Sequence, residues 1–205
     1  MALIACASQL GAQTRVSPGQ MLVATDRLND PEFSKSVVLI LAADARGVQG
    51  VWINRPTTVP VSTLFPALKT AAAAYQGGPL RLGINGLVRS SRQLANGTRL
   101  FGDVWLVVDR AALESLASGG GANVRIYVGT CGWSVPQLDD EVRRRGAWTI
   151  LPPSADAVFD ADLGTLWNRL AGVNVARAGF SRSTREPSSV WLARRAESTI
   201  GRAPF

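Results

Sequence analysis

The sequence predicts one compact domain in which short β-strands alternate with short helices, and three observations carry that prediction. The chain has 205 residues, enough to bury a sizeable core within one domain. Hydrophobic residues make up 46% and charged residues 18%, the balance of a soluble globular protein. Short aliphatic and β-branched runs recur between Asp, Asn, Pro and Gly, which is the strand signature, and capped segments suited to helices lie between them.

In chain order, MLVAT from Met21, SVVLILAA from Ser36 and VQGVWIN from Val48 predict three strands. The second is apolar throughout, so it is expected to be central, covered on both faces and flanked by the other two. Between the first and second, Asn29-Asp30-Pro31 predicts a turn or a short helical start. Pro56 is expected to end the third strand, because it brings no ladder donor, and VPVSTLFPALK predicts a short helix after it, interrupted or restarted at Pro66. AAAAYQ runs into a Gly77-Gly78-Pro79 turn. LRLGINGLVRSS stays open between two readings: its alternation suggests a strand, while Asn85-Gly86 suggests a hairpin turn joining Leu80–Ile84 to Leu87–Ser91. DVWLVVD at 103–109 predicts a strand, with Asp109 capping a helix over RAALESLAS that the glycines at 119–121 terminate. NVRIYVG at 123–129 predicts the next strand, Gln137–Arg145 a helix closed by Gly146, and AWTIL a last strand stopped by Pro152-Pro153. SADAVFD and DLGTLWNRLAG predict short helices, and the hydrophobic period fades beyond Val173. The predicted organisation is therefore an N-terminal extension over 1–19, a domain over 20–173 and a basic tail over 174–205.

Charge and cysteine usage narrow the chemistry. The net charge is +7, arginine supplies 20 of the 22 basic residues, and histidine is absent. Imidazole metal ligands and the Ser-His and Cys-His pairs are thereby excluded. The tail places Arg177, Arg182, Arg185, Arg194, Arg195 and Arg202 against only Glu186 and Glu197, which suits a solubilising segment or contact with an acidic partner, an anionic membrane surface or nucleic acid. Two cysteines, Cys6 and Cys131, stand in unlike contexts, so neither a disulfide framework nor a structural zinc site within one chain is expected. The apolar start, MALIACASQLGA, is too short to span a bilayer. It resembles the later part of an export signal, and export would require translation to begin upstream of Met1.

The stretch YVGTCGWSVPQLDDE, 127–141, concentrates the candidate chemistry. Ser134 and Gln137 are spaced as a capping box, with Pro136 in the first turn. That spacing predicts Cys131 and Gly132 just outside a helix N-terminus, where free N–H groups favour an anion or a thiolate. Three readings stay open. Gly129 and Gly132 give backbone freedom while Cys131 packs as a small hydrophobe and Trp133 plugs the core. Alternatively, Gly129, Thr130, Cys131, Gly132 and Trp133 form a pocket for a carboxylate or phosphate, with Asn54 and Arg55 as neighbours. In the third reading Cys131 is a nucleophile or redox centre, although no histidine is present to act as its base. Asp139, Asp140 or Glu141 could orient a substrate there, though their charge would raise a nearby thiol's pKa; the three also precede Arg143–Arg145 on one helix, an order that complements the macrodipole.

Taken together, GQMLVATDRLNDPEFSKSVVLIL, GVQGVWINRP, GGPL, YVGTCGWSVPQLDDEV, AW, P-x-x-A-x-x-VFD and Trp167 resemble the AlgH/YqgE family in number, order and spacing. The resemblance covers roughly 19–173. It implies an α+β domain with a bifurcated mixed sheet folded toward a pseudo-barrel and flanked by helices. It implies a bacterial, usually cytoplasmic protein with no established enzymatic activity or cofactor, one branch being linked to transcriptional control of exopolysaccharide genes. Asp30, Pro31, Phe33, Ser36, Asn54, Pro56, Gly77, Gly78, Pro79, Gly129, Gly132, Trp133, Gln137 and Leu138 fall on the family's characteristic positions. The chain departs from the family where a histidine usually follows the second strand, here AADAR at 42–46. It also departs where the usual Gly-Tyr-Ala-Gly-Trp has become Gly129-Thr130-Cys131-Gly132-Trp133. On these grounds the expected function is a non-catalytic binding or regulatory module. The partner, a protein or a small anionic ligand, is left unnamed, and the alternatives are a thiol-dependent enzyme using Cys131 and nucleic-acid contact through the tail.

Overall fold

A computed structural model describes residues 16–119 and 123–182. The apolar start with Cys6 and the tail beyond Arg182 lie outside them. The strands are β1 (Met21–Ala24), β2 (Val37–Asp44), β3 (Gly47–Trp52), β4 (Pro56–Pro60), β5 (Ala73–Gln76), β6 (Leu80–Arg89), β7 (Gly97–Phe101), β8 (Val104–Val107), β9 (Val124–Trp133) and β10 (Trp148–Leu151). The helices are α1 (Val61–Leu64), α2 (Arg110–Ser118), α3 (Val135–Asp139), α4 (Ala155–Val158) and α5 (Leu163–Arg182), with a 3₁₀ turn at Pro31–Phe33 and a π-turn at Asp140–Arg144.

The main path of the sheet runs β10-β1-β2-β3-β9-β6-β8-β7, antiparallel throughout. A branch departs from β9, which pairs in parallel with β5, and β5 in turn pairs with β4. β2 is central and flanked by β1 and β3, as its unbroken apolar run predicts. Val37, Leu39 and Leu41 enter one core while Val38 and Ile40 enter another on the opposite face. Each fully buried aliphatic side chain of this kind contributes about 1.5–3 kcal/mol. The first core lies beneath α4 and α5, the second beneath α3, and a third, around Leu113 and Phe65, beneath α1 and α2.

Four local expectations are corrected. The Asn85-Gly86 hairpin does not form, and Leu80–Arg89 is one strand with a register shift between Leu80 and Ile84. Gly86 pairs with both Val107 and Ile126, and a Cβ there would fall 2.0 Å from Leu113 Cδ2. This glycine admits a helix rather than a turn. Pro56 opens a strand in addition to following one: Pro56 and Pro60 face Tyr75 and Ala73 on β4, where only one side is paired. Thr57 Oγ1 supplies a bond the prolines lack, donating to the Ala74 carbonyl at 2.6 Å. The helix predicted over 59–69 is reduced to the single turn α1, and AAAAYQ contributes β5 rather than only a lead-in to the Gly-Gly-Pro turn.

Capping follows the sequence closely. Asp109 accepts from the Ala112 amide to start α2, and Gly119 closes it. Asp30 accepts from the Glu32 amide at the 3₁₀ turn. Ser134 accepts from the Gln137 amide at α3, but Gln137 turns its own side chain toward Glu141, so the capping box is half made.

Candidate functional site

The predicted motif sits at the fork of the sheet. β9 pairs with β5 through Tyr127 and Val128, then with β3 through Cys131, Gly132 and Trp133. Between these pairings the Gly77-Gly78-Pro79 segment fills the fork: the Gly77 amide donates to the Val128 carbonyl at 2.7 Å, and its carbonyl accepts from Trp52 N at 2.8 Å. Two backbones cross here at contact distance. A Cβ on Gly77 would fall 2.3 Å from the Gly129 carbonyl oxygen, and one on Gly78 2.1 Å from the Thr130 carbonyl carbon. Gly129 adopts a φ of +83°, which permits the kink in β9 at this crossing.

Of the three readings of Cys131, its surroundings fit the packing one, although it sits inside a strand and not beside a helix N-terminus. It lies within β9 opposite Gly50, fully buried, and its thiol points to the Gly77 carbonyl at 3.5 Å. Burial pushes the thiol well above its ordinary pKa range; the Trp52 amide opposes this in part, and Glu32 and Arg55 add smaller effects that raise and lower it respectively. Thr130 is buried beside it, while Gly132 is exposed and Trp133 closes the second core. The helix N-terminus expected next to the thiol begins only at Val135, beyond the end of the strand.

Asn54 and Arg55 hold the loop between β1 and β2. Asn54 Oδ1 accepts from the Val37 amide and Nδ2 donates to the Lys35 carbonyl, each at 2.9 Å. Lys35 has a φ of +54°, a left-handed conformation this strap helps maintain. Arg55 stacks on Trp52, 5.6 Å from the ring centroid, and donates to the Ser34 carbonyl at 2.7 Å. The residues that unite Asn-Asp-Pro-x-Phe with Asn-Arg-Pro are thus one structural clasp.

Two concavities open on either side of the Gly132–Trp133 segment. The larger, about 460 Å³, lies against the β2–β3 hairpin, with Asp44, Arg46 and Gln49 on its walls. The smaller, about 120 Å³, is bounded by Asp30, Phe33, Leu80, Trp148, Gln137 and Glu141. Phe33, Trp133 and Trp148 pack mutually with centroids 5.7–5.9 Å apart. Glu141 ties this cluster together, since Oε2 accepts from Trp148 Nε1 at 2.7 Å and Trp133 Nε1 at 3.2 Å, and Oε1 accepts from Gln137 at 2.9 Å. The π-turn carries Glu141 and so contributes to this placement. Sequence reasoning offered Glu141 only as one of three acidic residues able to orient a substrate beside Cys131, and it missed Asp30 and Leu80 as pocket residues. The sequence carried no signal for Glu141, because Asp139, Asp140 and Glu141 each have an arginine four residues on; in the structure Arg145 pairs with Asp140 instead, and Glu141 turns to the indoles. Among the described residues no three His, Cys, Asp or Glu side chains gather to hold a metal.

A curled, largely antiparallel half-barrel sheet that forks at a glycine crossing, with few helices, defines an α+β protein of AlgH type. The AlgH-like family model matches residues 21–174, and the chain belongs to that family. A UPF0301 protein of Streptomyces coelicolor is 34% identical over 174 residues, spanning 78% of this chain and 89% of its own length. A UPF0301 protein of Xylella fastidiosa is 30% identical over 163 residues, covering 75% and 86% respectively. Among solved structures, a Corynebacterium diphtheriae protein superposes with a TM-score of 0.66 at 23% identity, over 77% of this chain and 87% of that one. The solution structure of the AlgH protein from Pseudomonas aeruginosa gives 0.60 at 22%, over 86% and 100%.

Proposed function

We propose that this chain is a non-catalytic binding module with the regulatory role its family resemblance implies, and that its working surface is the face around Gly132 and Trp133. The observation that carries this reading is that both concavities share that wall. The folded unit on this reading is 20–173, with 1–19 and 174–205 as extensions, in a cytoplasmic setting. Among the described residues no helix is long and apolar enough to cross a membrane. A fragment screen read by amide chemical shifts tests the proposal. Ligands are expected to perturb Gly132, Trp133 and Val48 together; ligands that bind only elsewhere, or none at all, would remove the face as the working surface.

The burial of Cys131 weighs against a thiol enzyme. With Cys6 changed to Ser, iodoacetamide is expected to leave Cys131 unmodified in folded protein at pH 7 and to label it fully after denaturation. Rapid labelling of the folded chain would restore the enzymatic reading. The same burial has a pH consequence. Cys131 and Tyr127 hold their protons more tightly folded than unfolded, so their contribution is complete below the ordinary thiol range and is lost as the pH rises above it. Midpoints of urea unfolding are accordingly expected to fall on the alkaline side.

A further inference from the structure

We propose that the smaller concavity receives a guanidinium group carried on an aliphatic stem, an arginine side chain being the simplest form. The inference rests on the face around Gly132 and Trp133 being the working surface, and it supplies the chemical class of the ligand. A volume of about 120 Å³ suits the end of one side chain, well below the several hundred Å³ that a drug-sized molecule fills.

The walls select for a cation. Phe33, Trp133 and Trp148 supply aromatic surface, which attracts a positive charge through its quadrupole. Glu141 accepts hydrogen bonds only from neutral donors, and among the described residues neither it nor Asp30 forms an ion pair, whereas Asp139 and Asp140 on the same helical segment do. Among the described residues no lysine or arginine lines this cavity, although the chain carries a net charge of +7. A guest bringing positive charge compensates two carboxylates that the fold leaves uncompensated. Guanidinium suits the site better than ammonium because it is more weakly hydrated, stacks on aromatic rings and donates in a planar fork. Leu80, 45% exposed at the rim, offers apolar contact to the stem.

The guanidinium has two possible sources: an arginine of another molecule, or the chain's own Arg185, Arg194, Arg195 and Arg202. Full-length protein, and a full-length variant with those four arginines changed to Gln, are titrated with N-acetylarginine amide while the indole N–H resonances of Trp133 and Trp148 are followed by NMR. Both resonances are expected to shift saturably, with neutral N-acetylcitrulline amide at least about tenfold weaker. Glu141→Gln and Asp30→Asn are each expected to weaken the arginine probe by about tenfold. Asn caps the 3₁₀ turn as well as Asp does, so the second variant reports on charge even where the first disturbs packing. Tighter binding to the tail variant, with indole shifts already present without probe, assigns the source to the tail; equal binding assigns it to another molecule. No saturable shift in either protein, or equal affinity for citrulline amide, overturns the proposal. Fragments that perturb Gly132 and Trp133 while the arginine probe does not would end this inference and leave the binding face standing.

Discussion

Gly78→Ala is expected to abolish the folded state. The added methyl would lie 2.1 Å from the Thr130 carbonyl carbon, 2.2 Å from its oxygen and 2.4 Å from the Cys131 amide nitrogen. All three are backbone atoms of a paired strand, so no rotamer change relieves the clash. Moving β9 away would strain the Gly77 bonds to Val128 and Trp52 and disturb the buried seat of Cys131. We expect a loss of about 4 kcal/mol or more, comparable with the whole stability of a marginal domain. Gly132→Ala is the control, one exposed position along the same strand register. Its Cβ would meet only Leu80 Cδ1 at 3.1 Å, the end of a half-exposed side chain that can give, so a change within about 1 kcal/mol is expected. Urea unfolding of both variants checks the contrast. Similar midpoints for the two would show that the glycine crossing does not hold the fork together.

This crossing also explains which parts of the fold were legible in the sequence. β1, β2, β3, β8 and β10 announce themselves because their apolar residues are local and regular, and a central strand needs no other information. β4 and β5 are silent, since a strand with proline at both ends and one built from Ala-Ala-Tyr-Gln have little intrinsic preference for a sheet. Their conformation is imposed by pairing, β4 with β5 and β5 with β9, whose partner residues are distant in sequence. Asn85-Gly86 misleads for a related reason. Its local chemistry is that of a turn, but Gly86 is required by the approach of Leu113 from α2.

The site was legible in its address and not in its parts. Gly132 and Trp133 do border both concavities, but Gly129, Thr130 and Cys131 lie behind them in the fork. The capping box correctly starts α3 at Ser134, yet it gives no warning that β9 continues through Cys131 to Trp133. Gly129 and Gly132 around the cysteine read as a turn, whereas here Gly129 makes room for a second backbone and Gly132 faces only the Leu80 side chain. Asn54 and Arg55 drew notice as polar residues at a strand end. Their partners are the carbonyls and amide of the Ser34–Val37 segment, contacts that only the folded chain brings together.

Glu141→Ala carries the second large expected effect, and its comparison with Glu141→Gln separates folding from charge. In the native chain one carboxylate oxygen satisfies the indole N–H groups of two buried tryptophans, and the other engages Gln137. Alanine removes both acceptor oxygens, and with them three hydrogen bonds, and leaves Trp133 and Trp148 with unpaired donors inside the aromatic cluster. At about 1–3 kcal/mol for a stranded buried donor, partly offset where water enters from the concavity, a loss of about 2–4 kcal/mol is expected. Near-ultraviolet circular dichroism is expected to weaken as the three rings lose their fixed packing. Glutamine keeps an oxygen for the indoles, and a flip of the Gln137 amide lets it accept from the new side chain. The loss there is expected to stay within about 1 kcal/mol. Equal destabilisation by Ala and Gln would mean that the charge itself stabilises the fold. The expected gap between them means instead that folding requires an acceptor at position 141 and not an anion, so the negative charge beside the concavity is available to a ligand.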